Sequence, residues 1–554
     1  MTQKVLFKKP KNFGEIADLA GNILAWSVIL AFTVILPLYF KDGYDSITSY
    51  KYIFLMTVSK YIAIGGAVIL AARLFLWGIT REEIKAFRKL LSLDIFVLSF
   101  TVLSVVSYYF SAHKADGDRY LPEWFYEGAL WGTRGWYMGL MSILVFAMVY
   151  FYVSRMLISK NISLVPVILA ALLIFVWSVL NRYNIAPIDM NYDYRNSSFL
   201  GPVGNINWLA GYNSVTFPLL LGWFILSKKK IYRIISGILL IPGYFAVLTN
   251  GSDSGLWALL VTMIFLLWWC LCSKEGLKRF LLTAILLCVT GAVIGGLDKL
   301  YPEIRMYKGG ILESVFGLPS VYAGAFFLLV YISVSLWAKE SSEVYPKLGK
   351  IYIWSVLFLM VLFVFLIIIN TKRGGTLPVI GGNAIFLFND DWGSSRGITW
   401  KIGLKTFCNM DFSHKLIGAG PDTFFMEAGT YGDVYLLMTE RFGNARLTNA
   451  HCELITLLVN NGILGVVSFV GIMVSAVALA VKNRKTNPVL VIFALSVVSY
   501  FANNIFSFQQ IVNTPLYFVI LGMEGAFSVA SERAELLTKN GRKNTIQKGK
   551  NKHK

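Results

Sequence analysis

Apolar runs of about 18–25 residues recur along nearly the whole chain, each parted from the next by a short polar stretch. A run of that length covers the ~30 Å hydrocarbon layer of a bilayer as an α-helix. No other feature narrows the possible folds as far. Charged residues make up 15% of the 554 and hydrophobic ones 56%, with a mean hydropathy of +0.62, which excludes an ordinary water-soluble enzyme. The expectation is an all-α polytopic membrane protein. Fourteen candidate spans start near Asn22, Tyr52, Ser92, Trp136, Leu164, Trp208, Ile231, Gly255, Phe280, Pro319, Ile351, Gly462, Pro488 and Val512. The number falls to twelve if two weak runs are re-entrant. The first run is too long for a signal core and lacks a small-residue cleavage site, so it reads as a span.

The net charge of +20 raises the question of nucleic acid. No basic groove or recognition module accompanies it. The cations instead follow the rule that cytoplasmic loops collect Lys and Arg. With Lys4, Lys8, Lys9 and Lys11 inside, the loops holding Arg81/Lys85/Arg88/Lys89, Lys228/Lys229/Lys230/Arg233, Lys274/Lys278/Arg279 and Lys482/Arg484/Lys485 also fall inside. So does the basic tail after Ser531, which suits attraction to anionic lipid. Both termini are then cytoplasmic. The chain divides into a cytoplasmic N-terminus (1–21), eleven spans (22–370), one large extracytoplasmic loop (371–461), three further spans (462–530) and the cytoplasmic tail (531–554).

The large loop is too rich in aromatic residues to be disordered, and "TWKIGLKTF" (399–407) spaces Trp400, Leu404 and Phe407 as a helix does. It is expected to be a partly helical cap on the membrane surface. Aromatics in the other outer loops suit an interfacial belt or sugar-stacking walls. Cys408 and Cys452 fall in the large loop and can pair there if it faces an oxidising compartment.

Within the cap, "NARLTNAHCELITLLVNNGILG" (444–465) carries a histidine into an apolar helix. Asn449 is the expected N-cap, Asn460-Asn461-Gly462 the stop, and His451 then lies in the first turn. The positive end of the helix disfavours protonated histidine, and a neutral imidazole is what a general base requires. A packed interfacial histidine is the plainer alternative. "DWGSSRGITW" sets Arg396 in a Gly/Ser-rich turn before a helix, while "DYRNSSF" offers Arg195 and "WGTRGW" offers Arg134. Arginines so placed suit bidentate phosphate binding, helped by backbone amides at a helix start. "DGD" (116–118) lies in an outer loop under this topology, away from nucleotide sugars, and reads as a turn. No HExxH, P-loop or CxxC metal pattern is present, so no metal or cofactor is expected and the energy must arrive with the substrate.

These stretches resemble the O-antigen ligase and polymerase superfamily. The likeness covers roughly residues 195–480: His451 with Gly462 and Gly465, then Arg396, Trp400, Gly418 and Gly420 in "SSRGITWKIGLKTFCNMDFSHKLIGAGPDTF", and the Gly-Asn-x-Asn stretch around Asn205 in "RNSSFLGPVGNINWLAGY". One departure is Ser254 in "TNGSDSGLW", where an arginine is expected. The resemblance implies an inverting, metal-independent glycosyltransferase of the bacterial cytoplasmic membrane. Its donor would be an oligosaccharide on undecaprenyl pyrophosphate and its acceptor a sugar hydroxyl of a glycan or glycolipid. His451 would be the base. Arg396, with Arg195 or Arg134, would hold the pyrophosphate. Asn205, Trp400, Asp422 and Glu453 would contact substrate or orient the site. Two rival readings remain: a lipid-linked oligosaccharide flippase, for which Lys60 inside span two would be functional, and a cell-wall polymerase of the shape, elongation and division type.

Overall fold

The computed structural model describes residues 13–80, 90–114, 128–157, 164–191, 198–306, 311–339, 343–443 and 445–529. The N-terminal lysines, the loop from Arg81 to Lys89, the "DGD" turn, Arg195 and the basic tail lie outside the described residues.

Among the described residues eleven helices are long and apolar enough to cross a membrane. They are α1 (Phe13–Leu38), α2 (Ile47–Thr80), α3 (Ser92–Phe110), α5 (Val165–Arg182), α6 (Ile206–Leu226), α7 (Lys230–Leu248), α8 (Asp253–Cys270), α9 (Lys274–Leu300), α10 (Leu318–Trp337), α11 (Val344–Lys372) and α16 (Glu453–Lys482). Three shorter apolar helices join them: α4 (Leu140–Met156), α17 (Leu490–Asn503) and α18 (Thr514–Val529). Four small helices, α12 (Trp392–Asn409), α13 (Phe412–Ile417), α14 (Phe424–Thr430) and α15 (Gly432–Phe442), form the cap. The only strands among the described residues are a two-residue antiparallel pair, Phe199–Leu200 with Gly204–Asn205. The chain is thus an all-α, polytopic membrane protein.

Burial sorts these helices. α6 is covered on every side, while α10 and α11 bury none of their apolar windows and turn them outward. A helix that is apolar all round belongs either in a core or against lipid, and both cases occur here. The cap has a smaller core of its own, with Ile398, Ile402, Phe424, Val434 and Met438 closing against Ile455 and Val459 of α16.

Hydrogen bonds divide the connections between helices into two groups, one at each end of the bundle. At one end Tyr44 bonds Met190, Arg182 bonds the carbonyls of Thr249 and Asn250, and the cap receives the 111–138 and 504–513 segments. At the other end Arg279 meets Ile225, Lys274 meets Ala338, Arg484 meets Trp269 and Asn487 meets Phe527. Among the described residues these contacts alternate between the ends along the chain. The second end gathers Lys228–Lys230, Lys274, Lys278, Arg279, Lys482, Arg484 and Lys485.

One lysine expectation is corrected. Lys60 is exposed on the surface of α2, so it lines no internal path. The buried lysine is Lys51, whose ammonium donates to the carbonyls of Leu36, Pro37 and Tyr39 at 2.9, 2.9 and 2.7 Å, closing the end of α1. Arg73, also buried in α2, pairs with Asp18 of α1 at 2.8 Å.

Candidate functional site

The site begins with a break in α16. Gly462 has φ +68 and ψ −174, a backbone open to glycine alone, and a Cβ there would lie within 2.6 Å of the Leu416–Ile417 backbone. The break frees the carbonyls of the preceding turn. Ala419 and Gly420 of the Gly-x-Gly turn donate to Val459 and Asn460 at 2.9 and 3.0 Å, and the Ser107 hydroxyl also reaches Asn460 at 2.8 Å. Cap and bundle are therefore joined at the point where the sequence places its two motifs side by side.

His451 precedes this helix rather than lying in its first turn. The helix starts at Glu453, and the Asn449 side chain accepts the His451 N–H at 3.0 Å in a local turn instead of capping α16. His451 is held at φ +49, in the left-handed region. Its neighbours fix it there: the Ala450 carbonyl accepts from Thr399 at 2.8 Å and the Ala450 N–H donates to Thr456 at 3.1 Å. The imidazole packs edge-on against Phe508, centroids 5.4 Å apart, and has no hydrogen-bond partner among the described residues. Burial first, and the Arg396 charge second, push its pKa down to about 4. Its neutrality thus comes from surroundings rather than from the helix end.

Arg396 is the residue at which α12 resumes its right-handed course after a local break. Gly393, Ser394 and Ser395 before it take φ +61, +61 and +67, a left-handed turn that two serines enter at a cost of roughly 1 kcal/mol each. The guanidinium donates to the Gly393 carbonyl at 2.6 Å and to the Phe506 carbonyl at 3.0 Å, and lies over the Phe506 ring at 5.9 Å. Asp253 stands 3.9 Å away. Nη2 makes no hydrogen bond among the described residues. A buried cation with a spare donor at a helix N-terminus is a ready anion site.

Glu453 is buried, and both its carboxylate oxygens are occupied: one accepts the Gln509 backbone N–H and the other the Gln509 amide, each at 2.8 Å. Trp400 stacks on Phe506 at 5.9 Å and 17°, and Trp257 meets the same ring edge-on at 5.6 Å. The indole N–H groups of Trp400 and Trp257 are buried with no partner among the described residues. Sequence reasoning missed Trp257, Phe506 and Phe508. The only signal was "NNIFSFQQ", a polar-aromatic turn between two apolar runs.

The structure brings together His451, Arg396, Trp400 and Glu453. Asp422 stands in a neighbouring wall, where its carboxylate accepts from the N–H groups of Thr133 and Met138 at 2.7 and 3.0 Å. Arg134 is exposed on that same loop. Asn205 caps α6 by accepting the Asn207 N–H at 2.9 Å. Ser254 is buried against Ser252 at 2.9 Å, and the neighbour that turns toward Arg396 is Asp253. Cys408 and Cys452 are both free, Cys408 exposed and Cys452 buried. Among the described residues no three His, Cys, Asp or Glu side chains gather as a metal site requires.

A cavity of about 30 Å³ lies beside the site, lined by Trp136, Asp422, Asn449, Glu453, Asn460 and Phe508 among others. It has room for water but not for a sugar ring. A further contact ties the cap to the segment after α3: the His113 ring hydrogen-bonds Glu427 at 2.9 Å, and Tyr431 donates to Glu427 at 2.7 Å. Burial raises the Glu427 pKa, but its two hydrogen-bond partners outweigh that and hold it below the usual carboxylate range.

The arrangement sets a neutral imidazole against Phe508, and a buried cation with two indole donors, unpartnered among the described residues, around Phe506. Compared with known protein families and with curated proteins, the sequence matches none.

Proposed function

We propose that this protein transfers a glycan from a polyisoprenyl pyrophosphate carrier, undecaprenyl pyrophosphate in a bacterial cytoplasmic membrane, to a sugar hydroxyl of an acceptor glycan or glycolipid. The observation that carries the reading is the pairing of His451, a neutral imidazole with no hydrogen-bond partner among the described residues, with the anion-ready Arg396 beside it. His451 takes the proton of the attacking hydroxyl. The acceptor oxygen bonds to the anomeric carbon as the glycosyl–oxygen bond breaks, and the electron pair leaves with the pyrophosphate. Arg396 and the N-terminal amides of α12 stabilise the charge that grows there. Pyrophosphate is a good enough leaving group to need no separate acid. The unpartnered indoles of Trp257 and Trp400 supply donors to oxygens of the same substrate.

In this reading all fourteen apolar helices cross the bilayer. The basic end of the bundle is cytoplasmic, with both termini, and the cap is extracytoplasmic. The contacts that alternate along the chain support an even number of crossings. The test is His451→Ala in the native host, with expression confirmed, reading surface glycan by gel and mass spectrometry. Loss of the polymer or ligated glycan with accumulation of lipid-linked units is the expected result. Unchanged surface glycan would make His451 structural.

A further inference from the structure

The cap is joined to the bilayer-facing side of the bundle by a compact loop, and that loop carries a row of rings. Asn370, buried near the end of α11, organises it: its amide donates to the carbonyls of Gly381 and Phe386 at 3.0 and 3.1 Å, and its carbonyl accepts the Leu377 N–H at 3.3 Å. Phe388 returns to the helix through its N–H, which bonds the Thr371 hydroxyl at 2.9 Å. The loop is therefore folded back on α11. The Phe386 ring packs against Phe363 at 5.4 Å, about two helical turns, or ~10 Å, below Asn370. That depth lies on a helix whose apolar window contains no fully buried residue among the described residues.

Two residues further on, Phe388 starts a second run of rings. Phe388 meets Trp392 at 5.5 Å, Trp392 meets Trp400 at 5.3 Å, and Trp400 stacks on Phe506 at 5.9 Å, beneath the Arg396 guanidinium. Each ring from Phe386 to Phe506 is half-buried, with the remainder of its surface open. The loop also bares Val379 completely, at φ +71, a conformation that a β-branched residue resists. An apolar track that ran only along the bilayer would suit any lipid. This one leaves the bilayer and ends under a buried cation.

We infer that this aromatic track seats the hydrocarbon chain of the polyisoprenyl carrier, guiding it from the bilayer along α11 so that its pyrophosphate arrives at Arg396. The inference rests on the glycosyl-transfer reading for the identity of the headgroup. Its occupant is a long methyl-branched chain, whose bulk suits ring faces and edges set 5–6 Å apart. Phe386 and Phe388 act only on the chain, remote from the reacting bond.

The experiment measures binding, which requires no turnover. Full-length protein in detergent micelles is titrated with radiolabelled undecaprenyl pyrophosphate and with geranyl pyrophosphate, whose short chain reaches only the inner rings. Phe386→Ala and Phe388→Ala are expected to weaken the long-chain ligand at least tenfold and the short one less than twofold. Arg396→Ala weakens both. A photo-cross-linking amino acid at position 386 covers the case in which an alanine variant fails to fold. It should capture the radiolabelled chain, and excess unlabelled carrier should compete it away. Long-chain binding unchanged in both phenylalanine variants, or cross-links only to bulk phospholipid that the carrier does not displace, would overturn the track. If the unaltered protein binds neither pyrophosphate, the glycosyl-transfer reading itself falls.

Discussion

Glu453 holds Gln509 at two points, backbone N–H and side-chain amide, each at 2.8 Å, while its own N–H donates to the Asn504 carbonyl at 2.8 Å. Between those anchors runs the segment whose Phe506 carbonyl receives Arg396 and whose Phe508 ring faces His451. One carboxylate thus fixes the short loop that sets both the candidate base and the candidate cation.

Glu453→Ala should therefore lower kcat at least tenfold, with a smaller change in KM, because it leaves a buried N–H unpaired at about 1–3 kcal/mol and frees the loop. Glu453→Gln keeps one acceptor and should be milder. The exchange Glu453→Gln with Gln509→Glu rebuilds both bonds and should recover most of the rate. A steady-state comparison of the four proteins checks this. Equal loss in the exchanged pair and in Glu453→Ala would count against the positioning role.

The pH profile follows from the depressed His451. A pKa near 4 leaves the candidate base neutral in the free protein at pH 7. The acid limb of kcat/KM should have its midpoint near pH 4, well below that of an ordinary histidine. Stability has the same sign: between about 4 and 6.5 the unfolded chain binds the extra proton, so this contribution is complete above 6.5 and is lost as pH falls toward 4. A limb near 6.5 would mean that water reaches the ring freely.

Gly462→Ala should destabilise the protein by more than about 2 kcal/mol, since the new Cβ meets both a glycine-only backbone and the Leu416–Ile417 chain. Thermal unfolding followed by light scattering reads it. A midpoint equal to that of the unaltered protein would show that the break in α16 can close without loss.

Lys51 and Lys60 offer a paired test of the transport alternative. Lys51→Met strands three carbonyls at the end of α1 and should cost at least about 2 kcal/mol. Lys60→Leu, on the exposed face of α2, should change stability by less than about 0.5 kcal/mol and leave activity intact. Loss of function in Lys60→Leu, with stability unchanged, would bring the transport reading back.

The sequence made the helical runs legible because each is long, apolar and bounded by polar residues, and the bilayer sets that length independently of tertiary contacts. α3, expected from Ser92, begins at Ser92. It also singled out His451 and Arg396, which chemistry and turn residues mark locally. What it could not show depends on contacts across hundreds of residues. Phe506 and Phe508 meet the cap only because α17 and α18 return them to it. Lys51 and Lys60 sit in equally apolar surroundings in the sequence, and only packing against the end of α1 decides which is buried. Asn449 satisfied every rule for a helix cap, yet the Ala450–Thr456 and Ala450–Thr399 bonds hold the chain outside the helix until Glu453.

The most direct measurement is single-turnover glycan transfer by purified protein in liposomes, loaded with lipid-linked donor and acceptor, comparing His451→Ala with the unaltered chain. The account predicts that the variant still binds donor within a few-fold, while release of polyisoprenyl pyrophosphate slows by roughly a hundredfold or more, the scale of a lost general base. Release at a rate within twofold of the unaltered protein would contradict it.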